Sequence, residues 1–136
     1  MLINEYIKRF PRTYRLQIIE VNIPRKVNIK NRMQHATQKL LDAVPKDSLV
    51  IALDEQGKEF TTIELAQKLT LWQEENREIS LLIGGADGLD KSYLQKLPMV
   101  WSLSRLTLPH QMVRTLLVEQ LYRAWTIING HPYHRN

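Results

Sequence analysis

The chain contains no cysteine, which excludes disulfides and thiolate metal sites and fits a reducing compartment. No apolar run approaches the roughly 20 residues that a membrane-spanning helix needs. The first residues, Met1 to Arg9, lack the layout of a signal peptide. Together these absences predict a soluble, cytoplasmic protein without a membrane partner. Neither G-x-G-x-x-G nor a P-loop occurs, which argues against an ordinary dinucleotide or triphosphate site. The G-x-S-x-G elbow is missing too, and the acidic residues are scattered, so hydrolysis is disfavoured.

What is present is the composition of an ordinary globular domain. The 136 residues are 43% hydrophobic and 24% charged, enough to bury a core in one domain. A net charge of +5 favours polyanionic partners, because phosphate contacts release counterions. Charge of this size is also common in small proteins that bind no nucleic acid.

Helical and strand-like periods alternate along the chain. Residues 2–10 read as a helix that Pro11 ends, and Tyr14–Ile23 as a strand. A basic loop follows, carrying Arg25, Lys26, Lys30 and Arg32, and helical spacing resumes from Met33 to Val44. Leu49–Leu53 and Ile79–Ile83 are short, continuously apolar runs, as expected of strands covered on both faces. Asp54–Gly57 reads as a turn, and Thr61 with Glu64 fits a capping box for a helix reaching about Glu75. A short helix over Asp90–Lys96, a strand over Met99–Leu103 and a long helix over Gln111–Asn129 complete the order. The alternation predicts an α/β domain with a mainly parallel sheet flanked by helices. The last helix is apolar over more than one stripe. A second copy of the chain or the rest of the same subunit would account equally well for its width.

Three stretches of the last third carry candidate chemistry. Gly84-Gly85-Ala86-Asp87-Gly88 follows a buried strand, at the sheet edge where open α/β folds bind ligands. Leu53 ends its strand at the same edge. If the strand beginning at Met99 is parallel, Leu103, Ser104, Arg105, Leu106, Thr107 and Leu108 reach it as well. Such a pocket suits an adenosine-like ligand, although core leucines and a tight turn would use the same residues. The terminal His131-Pro132-Tyr133-His134-Arg135-Asn136 is dense in aromatic and basic groups for a segment that would usually fray. Arg105, Arg114, Arg123 and Arg135 suit phosphates or bases, or ion pairs with Glu119 or Asp87. His35 reads as a solvated helix residue. His131 and His134 lack further ligands nearby, so no metal is expected.

Leu81–Leu89, Trp101–Arg114, Glu119–Trp125 and His131–Arg135, in this order, closely resemble the ribosomal large subunit methyltransferase H family. That family is a branch of the SPOUT methyltransferases. The resemblance implies a C-terminal trefoil knot and a homodimer, which the final helix would join. It also implies methyl transfer from S-adenosylmethionine to N3 of a pseudouridine in large-subunit ribosomal RNA of the ribosome. Cofactor contacts would come from Leu53, Gly84 and Leu103 to Leu108. His134, Tyr133, Arg135 and Arg123 are then the catalytic candidates. His110 and Arg114, with the basic loop, would meet RNA. Members of the family begin with a strand and loop before the first helix, so the chain is expected to lack that strand. The competing expectation is a non-catalytic RNA-binding or ribosome-associated α/β domain.

Overall fold

The computed structural model describes residues 16–20, 29–84 and 89–134. Within them, four parallel strands form one sheet: β1 (Leu16–Glu20), β2 (Leu49–Glu59), β3 (Ile79–Ile83) and β4 (Met99–Ser102), in the order β1-β3-β2-β4. The helices are α1 (Ile29–Ala43), α2 (Thr62–Glu74), α3 (Lys91–Leu94) and α4 (His110–Ile128). The expected helix over 2–10 and the ends of the expected strand over 14–23 lie outside the described residues.

Side chains alternate across a strand, and the alternation divides the core in two. Ile51, Leu53, Ile79, Leu81, Ile83 and Trp101 meet Leu65, Leu69 and Trp72 of α2 and Leu117, Leu121 and Ala124 of α4. Ala52 and Leu82 belong to the other cluster with Leu40 of α1, Leu89, and Leu94 of α3. Covered on both faces, β2 and β3 need continuous apolar runs, which explains why their sequences do not alternate.

Two local differences bear on function. The basic segment was expected to stay a loop through Arg32, yet α1 starts at Ile29, so Lys30 and Arg32 belong to its backbone. No glycine or proline between 29 and 43 opposes the helix. The second difference is that β2 does not end at Leu53. Leu53 pairs with Trp101, residues 54–57 arch away, and Lys58 returns to Trp101 before Glu59 pairs with Ser102. The turn chemistry expected at Asp54–Gly57 is present inside the arch, where Asp54 Oδ2 accepts the Gln56 amide at 3.0 Å.

Thr61 caps α2 as expected. Its hydroxyl accepts the Glu64 amide at 3.1 Å, and the Glu64 carboxylate accepts the Thr61 amide at 2.9 Å. The backbone bond from Thr61, then the Thr61 side chain, holds the Glu64 carboxyl below the usual carboxylate range. A depressed folded-state pKa adds stability above the unfolded value, and that stability is lost as pH falls through the folded one. Urea titrations across pH should therefore show the gap between wild type and Glu64→Gln closing on acidification. Thr61→Ala should cost about 1 kcal/mol. A gap that is independent of pH would rule the linkage out.

Candidate functional site

The ends of β3 and β4 come level with Leu53, in the middle of β2, because of their register. Leu53 lies opposite Ile83 on one side and Trp101 on the other. This brings together Leu53, Gly84, which directly follows Ile83, and the segment leaving β4 at Ser102. Gly85, Ala86, Asp87 and Gly88 lie outside the described residues. Buried Trp101 supports the rim from below, its ring 4.3 Å from Phe60 and stacked at 5.7 Å on Trp72.

Beyond Ser102 the backbone is irregular as far as Pro109, and side chains hold it. The Ser102 hydroxyl donates to the Ser104 carbonyl at 2.7 Å, and Ser104 Oγ accepts the Leu106 amide at 3.0 Å. Thr107 Oγ1 donates to Glu55 at 2.7 Å, and Arg105 Nε donates to Glu59 at 2.8 Å. Leu103 and Leu108 are half-buried, whereas Leu106 is 73% exposed. The segment thus offers apolar side chains and a non-ladder backbone in one place, which is the make-up of a pocket for a purine-like ligand.

The terminal segment does not fray at Tyr133 or His134. At the end of α4, Gly130 adopts φ +67°, and the His131 amide reaches back to the Thr126 carbonyl at 2.8 Å while that of Gly130 reaches Ile127 at 3.3 Å. This is a Schellman turn, for which a left-handed residue is needed at Gly130. The turn sends the chain back along the helix. The Tyr133 ring meets Tyr122 edge-on at 4.9 Å, and the Arg123 guanidinium lies 4.9 Å from its centroid. Glu119 collects the group: its Oε1 accepts Arg123 Nε at 2.9 Å, Arg123 Nη2 at 2.6 Å and the Tyr133 hydroxyl at 3.2 Å. With the Glu119 side chain 17% exposed, this ion pair is screened far less than one at the surface.

Arg123 Nη1 also lies 3.3 Å from His134 Nδ1. A guanidinium can only donate, so Nδ1 accepts and the ring proton in this contact sits on Nε2. The structure thus brings three of the four catalytic candidates together, Arg123, Tyr133 and His134, while Arg135 lies outside the described residues. Sequence reasoning had left Glu119 as a mere ion-pair partner. Its signal was the acid-then-base spacing of Glu119 and Arg123 on one helix.

Among the RNA candidates, half-buried His110 opens α4 and Arg114 is exposed one turn later. Arg25 and Lys26, and the side chains of Lys30 and Arg32, lie outside the described residues. His35 is exposed on α1. Among the described residues no group of three His, Asp or Glu side chains is placed to hold a metal ion, and no helix is long and apolar enough to cross a membrane. Counted along α4, Glu119 and Arg123 stand about 14 and 20 Å from His110.

The fold is similar to that of a solved structure. That is a probable methylase family protein from Haemophilus influenzae, matching at a TM-score of 0.51 and 20% identity over 73% of this chain and 44% of that one. Residues 1–134 match the family model described as predicted SPOUT methyltransferase. Ribosomal RNA large subunit methyltransferase H from Coxiella burnetii is 50% identical over 133 residues, 96% of this chain and 86% of its own length. The protein of that name from Polynucleobacter asymbioticus is 52% identical over 132 residues, 97% of this chain and 86% of its own. The chain belongs to the SPOUT methyltransferases, and within them to the ribosomal RNA large subunit methyltransferase H family.

Proposed function

We propose that this protein transfers a methyl group from S-adenosylmethionine to N3 of a pseudouridine in large-subunit ribosomal RNA, acting on the ribosome in the cytoplasm. The observation that carries the reading is the register that sets Leu53 between Ile83, which Gly84 follows, and Trp101, just before the irregular segment 103–108. These residues fit the cofactor: half-buried Leu103 and Leu108 offer apolar walls, and the irregular backbone after Ser102 offers directed hydrogen bonds. The names of the curated relatives support ribosomal RNA as the substrate.

When bound, the cofactor supplies a sulfonium that is already a good methyl donor. The protein then chiefly aligns donor and acceptor and deals with the N3 proton of the uracil ring. Held by Arg123 at Nδ1, His134 carries its ring proton on Nε2. In that tautomer it donates to a ring carbonyl oxygen and stabilises the charge left when N3 loses its proton. Tyr133, fixed on Tyr122 and Glu119, offers a face for stacking. Arg135 joins them as a cation for the RNA backbone, and His110 and Arg114 contribute at the rim.

The reading includes a homodimer joined through α4. Met112 and Leu116, one turn apart, are exposed on α4, and Leu106 is exposed before it. They are the apolar surface for that contact. The test is calorimetry with S-adenosylmethionine followed by methylation of ribosomes lacking the modification. Saturable heat and methyl incorporation at the pseudouridine are expected. Ribosome binding without cofactor heat would instead identify a non-catalytic RNA-binding domain.

A further inference from the structure

The arch of β2 bears on the cofactor segment in a way that its reading as a plain turn did not anticipate. Residues 54–57 form a break in register within β2, after which Lys58 returns to the same partner, Trp101. The Asp54 side chain closes the arch internally on the Gln56 amide. Gly57 seats it on β4 so closely that a Cβ there would stand 2.7 Å from backbone atoms of Val100 and Trp101. The arch is thus fixed to the strand from which the 103–108 segment departs. From it, Glu55 takes the Thr107 hydroxyl, and just past it Glu59 takes the Arg105 guanidinium. Alternate residues of the segment are held by carboxylates of another strand.

We propose that Glu55 and Glu59 are positioning residues, which hold residues 105–107 in the conformation that receives S-adenosylmethionine. The inference rests on the reading of 103–108 as a cofactor-binding segment. Irregular backbone with no ladder partner loses conformational freedom when a ligand orders it, and that loss weakens binding. Tethers formed beforehand reduce the loss. Neither carboxylate needs to touch the cofactor.

The two tethers differ physically, and the difference gives each a signature. The Arg105 and Glu59 side chains are 89% and 52% exposed, so their ion pair is weak and screened by salt. The bond from Thr107 to Glu55 joins a neutral hydroxyl to a carboxylate. With no cation to screen, it should persist in salt.

The test compares Glu55→Ala, Glu55→Gln and Glu59→Ala with wild type in the full chain. It measures S-adenosylmethionine affinity at low and high salt, turnover on ribosomes, and amide hydrogen exchange over residues 104–108 without ligand. Glu55→Ala should raise the Kd and KM for the cofactor about fivefold at both salt levels. Turnover at saturating cofactor should stay near wild type. Glu55→Gln, which keeps an acceptor oxygen, should restore most of the affinity. Glu59→Ala should cost about twofold in affinity at low salt and nothing at high salt. Exchange should quicken in both alanine variants. Unchanged exchange would remove the tethers, and faster exchange with unaltered affinity would remove their positioning role. A wild-type protein that binds no S-adenosylmethionine overturns the cofactor reading itself, and the positioning role with it.

Discussion

Removal of residues 133–136 should leave S-adenosylmethionine binding intact and lower ribosome methylation by about 100-fold or more, the scale of a lost proton-handling group. The split follows from the geometry. The rim residues belong to strand ends and to the segment after β4, while Tyr133 and His134 belong to a tail docked well along α4. Glu119→Gln should reproduce part of the loss with the tail still present, about tenfold in kcat with little change in cofactor KM. Its Oε1 receives both Arg123 and Tyr133, and a neutral amide holds a guanidinium less firmly. Methylation at the wild-type rate by the shortened chain, with the cofactor bound, would sink the assignment of the tail as catalytic.

Gly57→Ala should destabilise the protein by about 1–3 kcal/mol, the cost of forcing an extra carbon into packed structure. The added Cβ meets backbone rather than a yielding side chain: carbonyl atoms of Val100 and the carbonyl carbon of Trp101, all at 2.7 Å. Relief requires either the arch or β4 to move, and both carry the rim. Thermal melting and cofactor affinity should therefore fall together. Gly130→Ala offers an informative contrast. There a Cβ meets nothing within 4 Å, but φ is +67°, so the cost is backbone strain of about 1 kcal/mol. That change should loosen the tail and spare the rim. Equal losses of cofactor affinity in the two variants would refute this division.

Much of the site was legible because its signals are local. Continuous apolar runs gave the cores of β2 and β3, and Thr61 and Glu64 gave the start of α2. The arch was half legible. Asp54 and Gly57 are turn residues, but nothing nearby in sequence says that Lys58 and Glu59 rejoin Trp101 and Ser102 some forty residues on. The docking of Tyr133 depends likewise on partners a full helix half-length away, Glu119 and Tyr122. The breadth of the apolar face of α4 has a partial explanation in the same contacts. One stripe, Leu117, Leu121 and Ala124, meets α2 and the sheet, while Tyr122 takes up the returning tail. The trefoil knot came from family membership alone, since general rules of chain topology would have excluded it.

The Schellman turn at Gly130 also sets a competition. Only His131 and Pro132 separate that turn from Tyr133, so the tail meets its own helix as a tethered ligand, at an effective concentration in the millimolar range. Any nucleotide or second subunit that draws Tyr133 and His134 away from Glu119 must outbid that local concentration. A short leash therefore makes weak contacts sufficient to keep the tail ordered before substrate arrives. On the proposed role of the tail, affinity for RNA should then depend on how readily those contacts are exchanged.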